Sequence, residues 1–153
     1  MASVTSHRRK KLREPEDNTA ALLGQAWGVL GARILEGVQA AGHPIRQAHS
    51  MVFVHIDLDG IRLTQLAERA SMTPQAMGEL VDDLVRLGYV TRIPDPSDGR
   101  AKLIVLTDKG YDNLQAAFDT ISGIERDLAK LLGRRKLVDL RASLREIIAS
   151  GMG

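Results

Sequence analysis

The fold of this chain is decided by one stretch, LTQLAERASMTPQAMGELVDDLVRLGYV, which covers residues 63–90. Two helix-forming segments lie in this stretch, and a tight connection separates them. Thr64 is placed to cap a short first helix over Gln65–Ala70, and the second helix is predicted to begin at Thr73. Two helices joined by such a short turn predict a helix-turn-helix.

The second helix has strong start and stop signals. Thr73 can cap it, and Pro74 suits the first helical position because the N–H that proline lacks would have no partner there. The helix is predicted to run to about Leu87, where Gly88 can adopt the left-handed conformation that ends many helices. Its apolar residues fall on one face and predict a buried stripe of Met77, Leu80, Val81 and Leu84.

A β-hairpin is predicted to follow the helix-turn-helix. The β-prone runs 89–93 and 103–106 flank residues 94–102, which contain two prolines and an Asp-Gly pair typical of a turn. Thr107 is then placed to cap a long helix. Because a hairpin directly after a helix-turn-helix is a wing, residues 45–108 are predicted to form a winged helix-turn-helix DNA-binding domain.

Amphipathic helices flank this domain. Apolar residues recur every three or four positions over residues 17–41 and again after Thr107, with an interruption at Gly133. A further helix is predicted over Ile45–Ile56. The flanking apolar faces exceed what one small core needs, so residues 17–44 and 109–150 are predicted to form a helical dimerisation region. The predicted fold class is mainly α with a small β-hairpin wing (α+β).

Composition excludes several classes of function. The chain has no cysteine, which excludes disulfides, thiolate metal sites and thiol chemistry. Aromatic residues make up 3%, too few to provide stacking platforms for unpaired bases. No apolar run approaches the roughly 18–20 residues that span a bilayer, and no secretory signal is recognisable. We therefore expect no membrane contact and a cytoplasmic location.

The net charge of +2 is unevenly distributed along the chain. Residues 1–13 carry five basic and no acidic residues, whereas residues 60–108 carry six basic and seven acidic residues. Residues 1–16 are therefore predicted to form a basic, disordered arm. That arm, rather than the central domain, carries most of the basic excess that would attract phosphates.

The start of the second helix carries residue types that suit base recognition. A recognition helix in the major groove meets base edges with its N-terminal residues. Gln75 can pair with adenine, and Glu79 can accept a hydrogen bond from the amino group of cytosine. Asp82 and Asp83 would repel phosphates unless they are paired or turned away. The residues predicted to contact DNA here are Thr73, Pro74, Gln75, Gly78 and Glu79.

The wing carries the remaining predicted DNA contacts. Arg100 suits the narrow minor groove, where the negative potential of DNA is concentrated. Asp98 is placed to hold the Arg100 guanidinium before DNA binds. Arg92 and Lys102 can add positive charge to the same surface. The alternative is that Arg100 is an ordinary exposed arginine of a loop.

Taken together, these motifs resemble the MarR family of winged helix-turn-helix transcriptional regulators. The resemblance rests on residues 63–90, on DPSDGRAK at residues 95–102 and on LTDKG at residues 106–110, and it extends over about residues 18–150. It implies a homodimeric regulator, usually a repressor, that binds a pseudo-palindromic operator in double-stranded DNA. It also implies an effector, often a small aromatic anion, that binds between the dimerisation helices and the winged-helix lobe. Family members often carry a basic residue near the position of Glu79, which is acidic here.

The sequence does not identify which residues would bind an effector. Gly24, Gly28 and Gly31 share one face of the first helix, and Trp27 lies among them. A glycine stripe lets another backbone or a ligand approach closely, but it is also found as a tolerated weakness in a packed helix. Both interpretations stay open at this point.

Two other classes of function are alternatives. An enzyme or metal site could be imagined around His55, Asp57 and Asp59, but no second cluster completes it. His43, His49 and His55 are six residues apart, which does not place them on one helix face. We therefore predict no catalytic residue, no metal and no cofactor. The second alternative is a winged-helix module that binds protein, which the slightly acidic balance of residues 60–108 permits.

Overall fold

The computed structural model of the chain describes Pro15 and residues 18–151. It is mainly helical with one small antiparallel sheet, which confirms the predicted fold class. Apart from Pro15, the predicted basic arm over residues 1–16 lies outside the described residues. The elements in chain order are α1 (Thr19–Ala40), a short 3-10 helix (Gln47–His49), α2 (Ser50–His55), β1 (Ile61–Arg62), α3 (Leu63–Arg69), α4 (Pro74–Arg86), β2 (Val90–Asp95), β3 (Asp98–Leu106), α5 (Asp108–Leu132) and α6 (Arg134–Ser150).

Three predicted helix boundaries are confirmed in atomic detail. The Thr73 hydroxyl accepts a hydrogen bond from the backbone N–H of Ala76 at 3.2 Å and so caps α4. The Thr107 hydroxyl caps α5 in the same way, accepting from the N–H of Gly110 at 3.2 Å. Gly88 has a φ of +81°, the left-handed conformation that few other residues adopt without strain.

Two predicted helices differ from the structure. The segment predicted as one helix over Ile45–Ile56 is a 3-10 turn followed by α2. The first helix of the helix-turn-helix begins at Leu63, so Thr64 lies inside it and does not cap it. The reason is that the two residues of β1 pair with the wing and lead straight into α3, which leaves no room for a separate capping residue.

The wing is longer than the sequence indicated. Its sheet has the strand order β1-β3-β2, and Ile61 pairs opposite Ile104. Residues 94–102 were expected to form the turn, but β2 runs to Asp95 and β3 starts at Asp98. Pro94 fits in β2 because this is an edge strand, where a missing N–H does not break a ladder.

The core of the winged helix lies between α2, α3, α4 and the sheet. Phe53, Leu66, Met77, Leu84 and Tyr89 are among its buried side chains. Helix α1 packs along α5 and the salt bridge between Arg33 and Asp127 joins the two helices at 2.8 Å. None of the helices in the described part of the chain is long and apolar enough to cross a membrane.

Candidate nucleic-acid interface

The five residues predicted to enter the major groove lie together at the start of α4. Thr73 and Pro74 form its exposed first turn, and Gln75 and Glu79 are exposed one turn apart on the same helix. Gly78 is half-buried, and a Cβ built there would lie 3.7 Å from Leu63 Cδ2 of α3. Gln75 and Glu79 are therefore the two long side chains that this end of the helix presents to a partner.

The two aspartates further along α4 are both paired. Asp82 binds Arg92 of β2 at 2.7 Å, which joins the recognition helix to the wing. Asp83 binds Arg46 and Arg86. Burial alone would raise the pKa of Asp83, but the hydrogen bond from His49 and the charges of the two arginines outweigh it and lower the pKa. Asp82 and Asp83 were expected to repel phosphates unless they are paired, and both are paired with arginines.

His49 connects the 3-10 helix to α4. Its side chain is buried, and its Nδ1 accepts a hydrogen bond from the backbone N–H of Arg46 at 3.2 Å. The proton of the neutral ring is therefore on Nε2, which faces Asp83 Oδ2 at 3.5 Å. Burial lowers the pKa of His49, so the ring is a neutral structural link near pH 7. Sequence spacing gave no signal for this role.

The wing is anchored by a buried carboxylate that the sequence did not single out. Asp95 accepts hydrogen bonds from the Ser97 backbone N–H at 2.8 Å, from the Ser97 hydroxyl at 2.7 Å and from Nε of Arg62 at 2.7 Å. These contacts close the Pro96-Ser97 turn and join β1 to the wing tip. The two hydrogen bonds from Ser97 and the Arg62 guanidinium lower the pKa of Asp95 to about 2.

We expect Asp95→Asn to destabilise the fold at neutral pH and to remove an acid-dependent loss of stability. The folded pKa is about 2, below the value near 3.8 of an unperturbed aspartate, so ionised Asp95 stabilises the fold above about pH 4. That contribution is lost as the pH falls from about 4 through about 2. Urea unfolding over this range should show the gap between wild type and variant closing. Asp59→Asn, in an exposed loop, is the control, and a gap that stays constant with pH contradicts the assignment.

The wing-tip residues are placed differently from one another. Arg100 is exposed, and its guanidinium forms no ion pair with any residue that the structure describes. Its backbone N–H donates to Asp98 Oδ1 at 3.2 Å. Asp98 was expected to hold the Arg100 guanidinium; instead it orders the Arg100 backbone, and its other oxygen lies 3.7 Å from the Arg62 guanidinium. Lys102 is exposed on β3, whereas the charge of Arg92 is already bound by Asp82.

An apolar cavity of about 390 Å³ lies between α1, α2 and α5. Trp27 and Gly31 of α1 form one wall, and Asn113 and Phe118 of α5 form another. A Cβ at Gly31 would lie 3.6 Å from Gln47 Nε2, whereas Gly24 and Gly28 have nothing within 4 Å. Within the glycine stripe, then, Gly31 lines a cavity, and Trp27 at its mouth is 57% exposed rather than a core residue.

The residues considered for a metal or catalytic site are not assembled into one. Asp57 binds Arg69 at 2.7 Å, which lowers the pKa of Asp57 through the hydrogen bond from that guanidinium. His49 is buried, and its Nε2 faces Asp83 of α4. Within residues 18–151, no group of three or more His, Asp and Glu side chains is arranged to hold a metal ion.

These features define a winged helix-turn-helix protein: a helix-turn-helix with an exposed second helix, a three-stranded wing and long flanking helices. Residues 43–101 match a family model described as the MarR family. The resemblance to this family that the sequence motifs predicted is thus confirmed over residues 43–101.

Solved structures of other proteins share the fold over most of the chain. A MarR-family transcriptional regulator from Rhodococcus sp. RHA1 is 22% identical with a TM-score of 0.69, over 89% of this chain and 96% of that one. CouR from Rhodococcus jostii RHA1, bound to p-coumaroyl-CoA, is 24% identical with a TM-score of 0.68, over 86% and 92%. A MepR mutant from S. aureus, bound to an oligodeoxyribonucleotide, is 20% identical with a TM-score of 0.53, over 88% and 99%. Comparison with curated proteins gives no match.

Proposed function

We propose that this chain is a homodimeric, sequence-specific DNA-binding transcriptional regulator that represses transcription by occupying a pseudo-palindromic operator. The observation that carries the proposal is the exposed start of α4, with Gln75 and Glu79 outward, beside a wing on which the Arg100 guanidinium has no partner among the described residues. The start of α4 would contact bases in the major groove, and Arg100 would contact the minor groove. Such a regulator works where the DNA is, in the cytoplasm.

The charges that remain available support DNA binding better than the formal sum does. Residues 60–108 carry one more acidic than basic residue. Yet Asp82 and Asp95 are each bound to an arginine of this same segment, and Asp83 is bound to two arginines. Among the predicted contacts, this leaves Arg100 and Lys102 as unpaired cations and Glu79 as the unpaired anion. DNA would therefore meet two free cations on the wing and one free anion on α4.

Exposed apolar side chains on the flanking helices support the dimer. Leu22 and Val29 of α1 are 60% and 64% exposed, and Leu131 and Ile148 at the other end of the chain are 79% and 78% exposed. Large apolar side chains left in water on terminal helices are typical of a surface that pairs with a second copy. We accordingly assign residues 17–44 and 109–150 to dimerisation and residues 45–108 to DNA binding.

The cavity between α1, α2 and α5 supports the effector part of the proposal. It lies between the helices assigned to dimerisation and the winged-helix lobe, and Gln47 at its wall belongs to the 3-10 helix whose His49 contacts α4. A molecule bound there would therefore press on the element that positions the recognition helix. CouR, which has the same fold, was solved with p-coumaroyl-CoA bound.

The proposal is tested by DNA selection followed by measurement of the complex. Purified full-length protein selects fragments of genomic DNA, and the enriched site is compared with the DNA upstream of the protein's own gene. We expect salt-sensitive, sequence-selective binding in gel shifts, with two chains per site in sedimentation. Equal binding of scrambled duplexes, or a single chain per site, contradicts the proposal.

The second candidate is a winged-helix module that binds a protein partner. The observation that favours it is the unpaired carboxylate of Glu79 on the exposed face of α4, which repels phosphates. The same gel shifts separate the two candidates, because a protein-binding module should bind no DNA even at low salt.

A further inference from the structure

The outward face of α4 carries two long polar side chains without a partner. Residues three or four apart share a face of a helix, and one exposed stripe of α4 contains Gln75, Glu79, Asp82 and Arg86. Asp82 is bound by Arg92 of the wing, and Arg86 is bound by Asp83. The side chains of Gln75 and Glu79 form no hydrogen bond or ion pair with any described residue. Both are therefore free to contact a partner.

The carboxylate of Glu79 limits what this stripe can bind in DNA. It accepts hydrogen bonds but donates none, and its charge repels phosphates. A recognition helix places its N-terminal residues against base edges, and Glu79 is the sixth residue of α4. In the major groove the hydrogen-bonding groups of guanine and thymine are all acceptors, whereas adenine and cytosine each present an amino donor. The Glu79 carboxylate therefore needs cytosine or adenine opposite it.

Of these two bases, cytosine suits a carboxylate better. The amino group of adenine lies beside the N7 acceptor, which would repel the second carboxylate oxygen, whereas cytosine presents its amino group alone. Adenine instead suits Gln75, because an amide both donates and accepts. The four-residue step from Gln75 to Glu79 rises about 6 Å along the helix, which corresponds to roughly two base pairs. The two side chains would thus contact neighbouring positions of one half-site.

We propose that Glu79 is a specificity-determining residue, which requires a cytosine in each half-site of the operator within about two base pairs of an adenine contacted by Gln75. This inference rests on the proposed DNA-binding function, and it names bases that the operator must contain. A carboxylate that only weakened DNA binding, or one that bound a protein partner, would impose no such requirement.

Selection from a random pool of duplexes tests the requirement with the full-length protein and with Glu79→Gln. The variant removes the charge and keeps the length of the side chain, and glutamine has a helix propensity close to that of glutamate. Because glutamine pairs with adenine, the enriched cytosine should change to adenine at one position of each half-site. The bases preferred at the other positions should stay the same.

Fluorescence anisotropy at one salt concentration then gives the affinities for single-base variants of the enriched duplex. We expect replacement of that C·G pair by T·A in one half-site to weaken wild-type binding about 5- to 150-fold, because the O4 acceptor of thymine would face the carboxylate. Glu79→Gln should bind the duplex with A·T at this position at least as tightly as the duplex with C·G. Ratios between duplexes are compared, because removal of a negative charge raises the affinity for every duplex.

Glu68→Gln is the matched control, since Glu68 is an exposed glutamate of α3 and the substitution removes the same charge. It should keep the wild-type preference at every position. Sequence-selective binding with the same preferred bases in Glu79→Gln as in wild type would overturn this inference and leave the proposed function standing. A wild-type operator in which no position requires cytosine would do the same. Failure of the wild-type protein to enrich any sequence would instead overturn the proposed function, and this inference with it.

Discussion

Gly110→Ala should lower the free energy of unfolding by about 1–3 kcal/mol or more, because the new methyl group meets backbone and not a movable side chain. A Cβ at Gly110 would lie 2.1 Å from the carbonyl oxygen of Tyr89 and 3.0 Å from Leu106 Cδ2. Tyr89 cannot retreat, since its side chain is fully buried and its ring stacks edge-on against Phe53 at 6.0 Å. Helix α5 must therefore tilt away from the chain that follows the recognition helix.

That contact is reinforced by the residues just before Gly110. The Thr107 hydroxyl donates to the Gly88 carbonyl at 2.6 Å, and its backbone N–H donates to the Tyr89 carbonyl at 3.1 Å. Lys109 Nζ donates to the Leu87 carbonyl at 2.9 Å and lies 4.4 Å from the centre of the Tyr89 ring. A tilt of α5 would strain this whole junction, so we expect Gly110→Ala to disturb the placement of α4 as well as stability.

Gly123→Ala in the same helix is the control with the opposite sign. Its Cβ would meet only the end of the flexible Arg126 side chain, at 3.8 Å. Replacing a helical glycine by alanine stabilises by up to about 1 kcal/mol when nothing clashes. Urea unfolding of the two variants should therefore move in opposite directions. A Gly110→Ala protein as stable as wild type would mean that the Tyr89 carbonyl does not confine α5.

The parts of the fold that were predictable from the sequence are those with local causes. Thr73, Pro74 and Thr107 act within one helical turn, and Gly88 needs only its own backbone conformation, so pattern and position were enough. Strand β1 was missed because its two residues have no pattern of their own and exist as a strand only through pairing with β3. The length of β2 was underestimated because Pro94 indicates a turn unless the strand is known to lie at an edge.

The candidate interface was predictable in position but not in charge. The sequence indicated which residues stand at the start of α4 and on the wing. It could not indicate that Arg46, far away along the chain, would bind Asp83, or that Arg92 would bind Asp82. These pairs depend on how the 3-10 helix and β2 pack against α4. The buried Asp95 was likewise overlooked, since its partners come from β1 and from the turn itself.

Arg100→Ala should weaken operator binding by about 1–3 kcal/mol, roughly 5- to 150-fold, and reduce the salt dependence of binding by about one slope unit. The expected effect is large because few cations on this lobe are available. Arg62 is bound to Asp95 and Arg92 to Asp82, so neither can replace the lost guanidinium without breaking a salt bridge. The Asp98 carboxylate would still accept from the backbone N–H of residue 100, so the wing should keep its shape.

Arg126→Ala removes the same charge from an exposed position on α5, outside the winged helix, and separates a local contact from a general effect of net charge. Fluorescence anisotropy with a labelled operator duplex, measured at several salt concentrations, gives both affinities and slopes. Because the unpaired Arg100 guanidinium is the wing's strongest candidate for the minor groove, only Arg100→Ala should show the large loss. Equal losses in the two variants would mean that Arg100 contributes only through net charge. An unchanged affinity in Arg100→Ala would mean that the Arg100 side chain does not contact the operator.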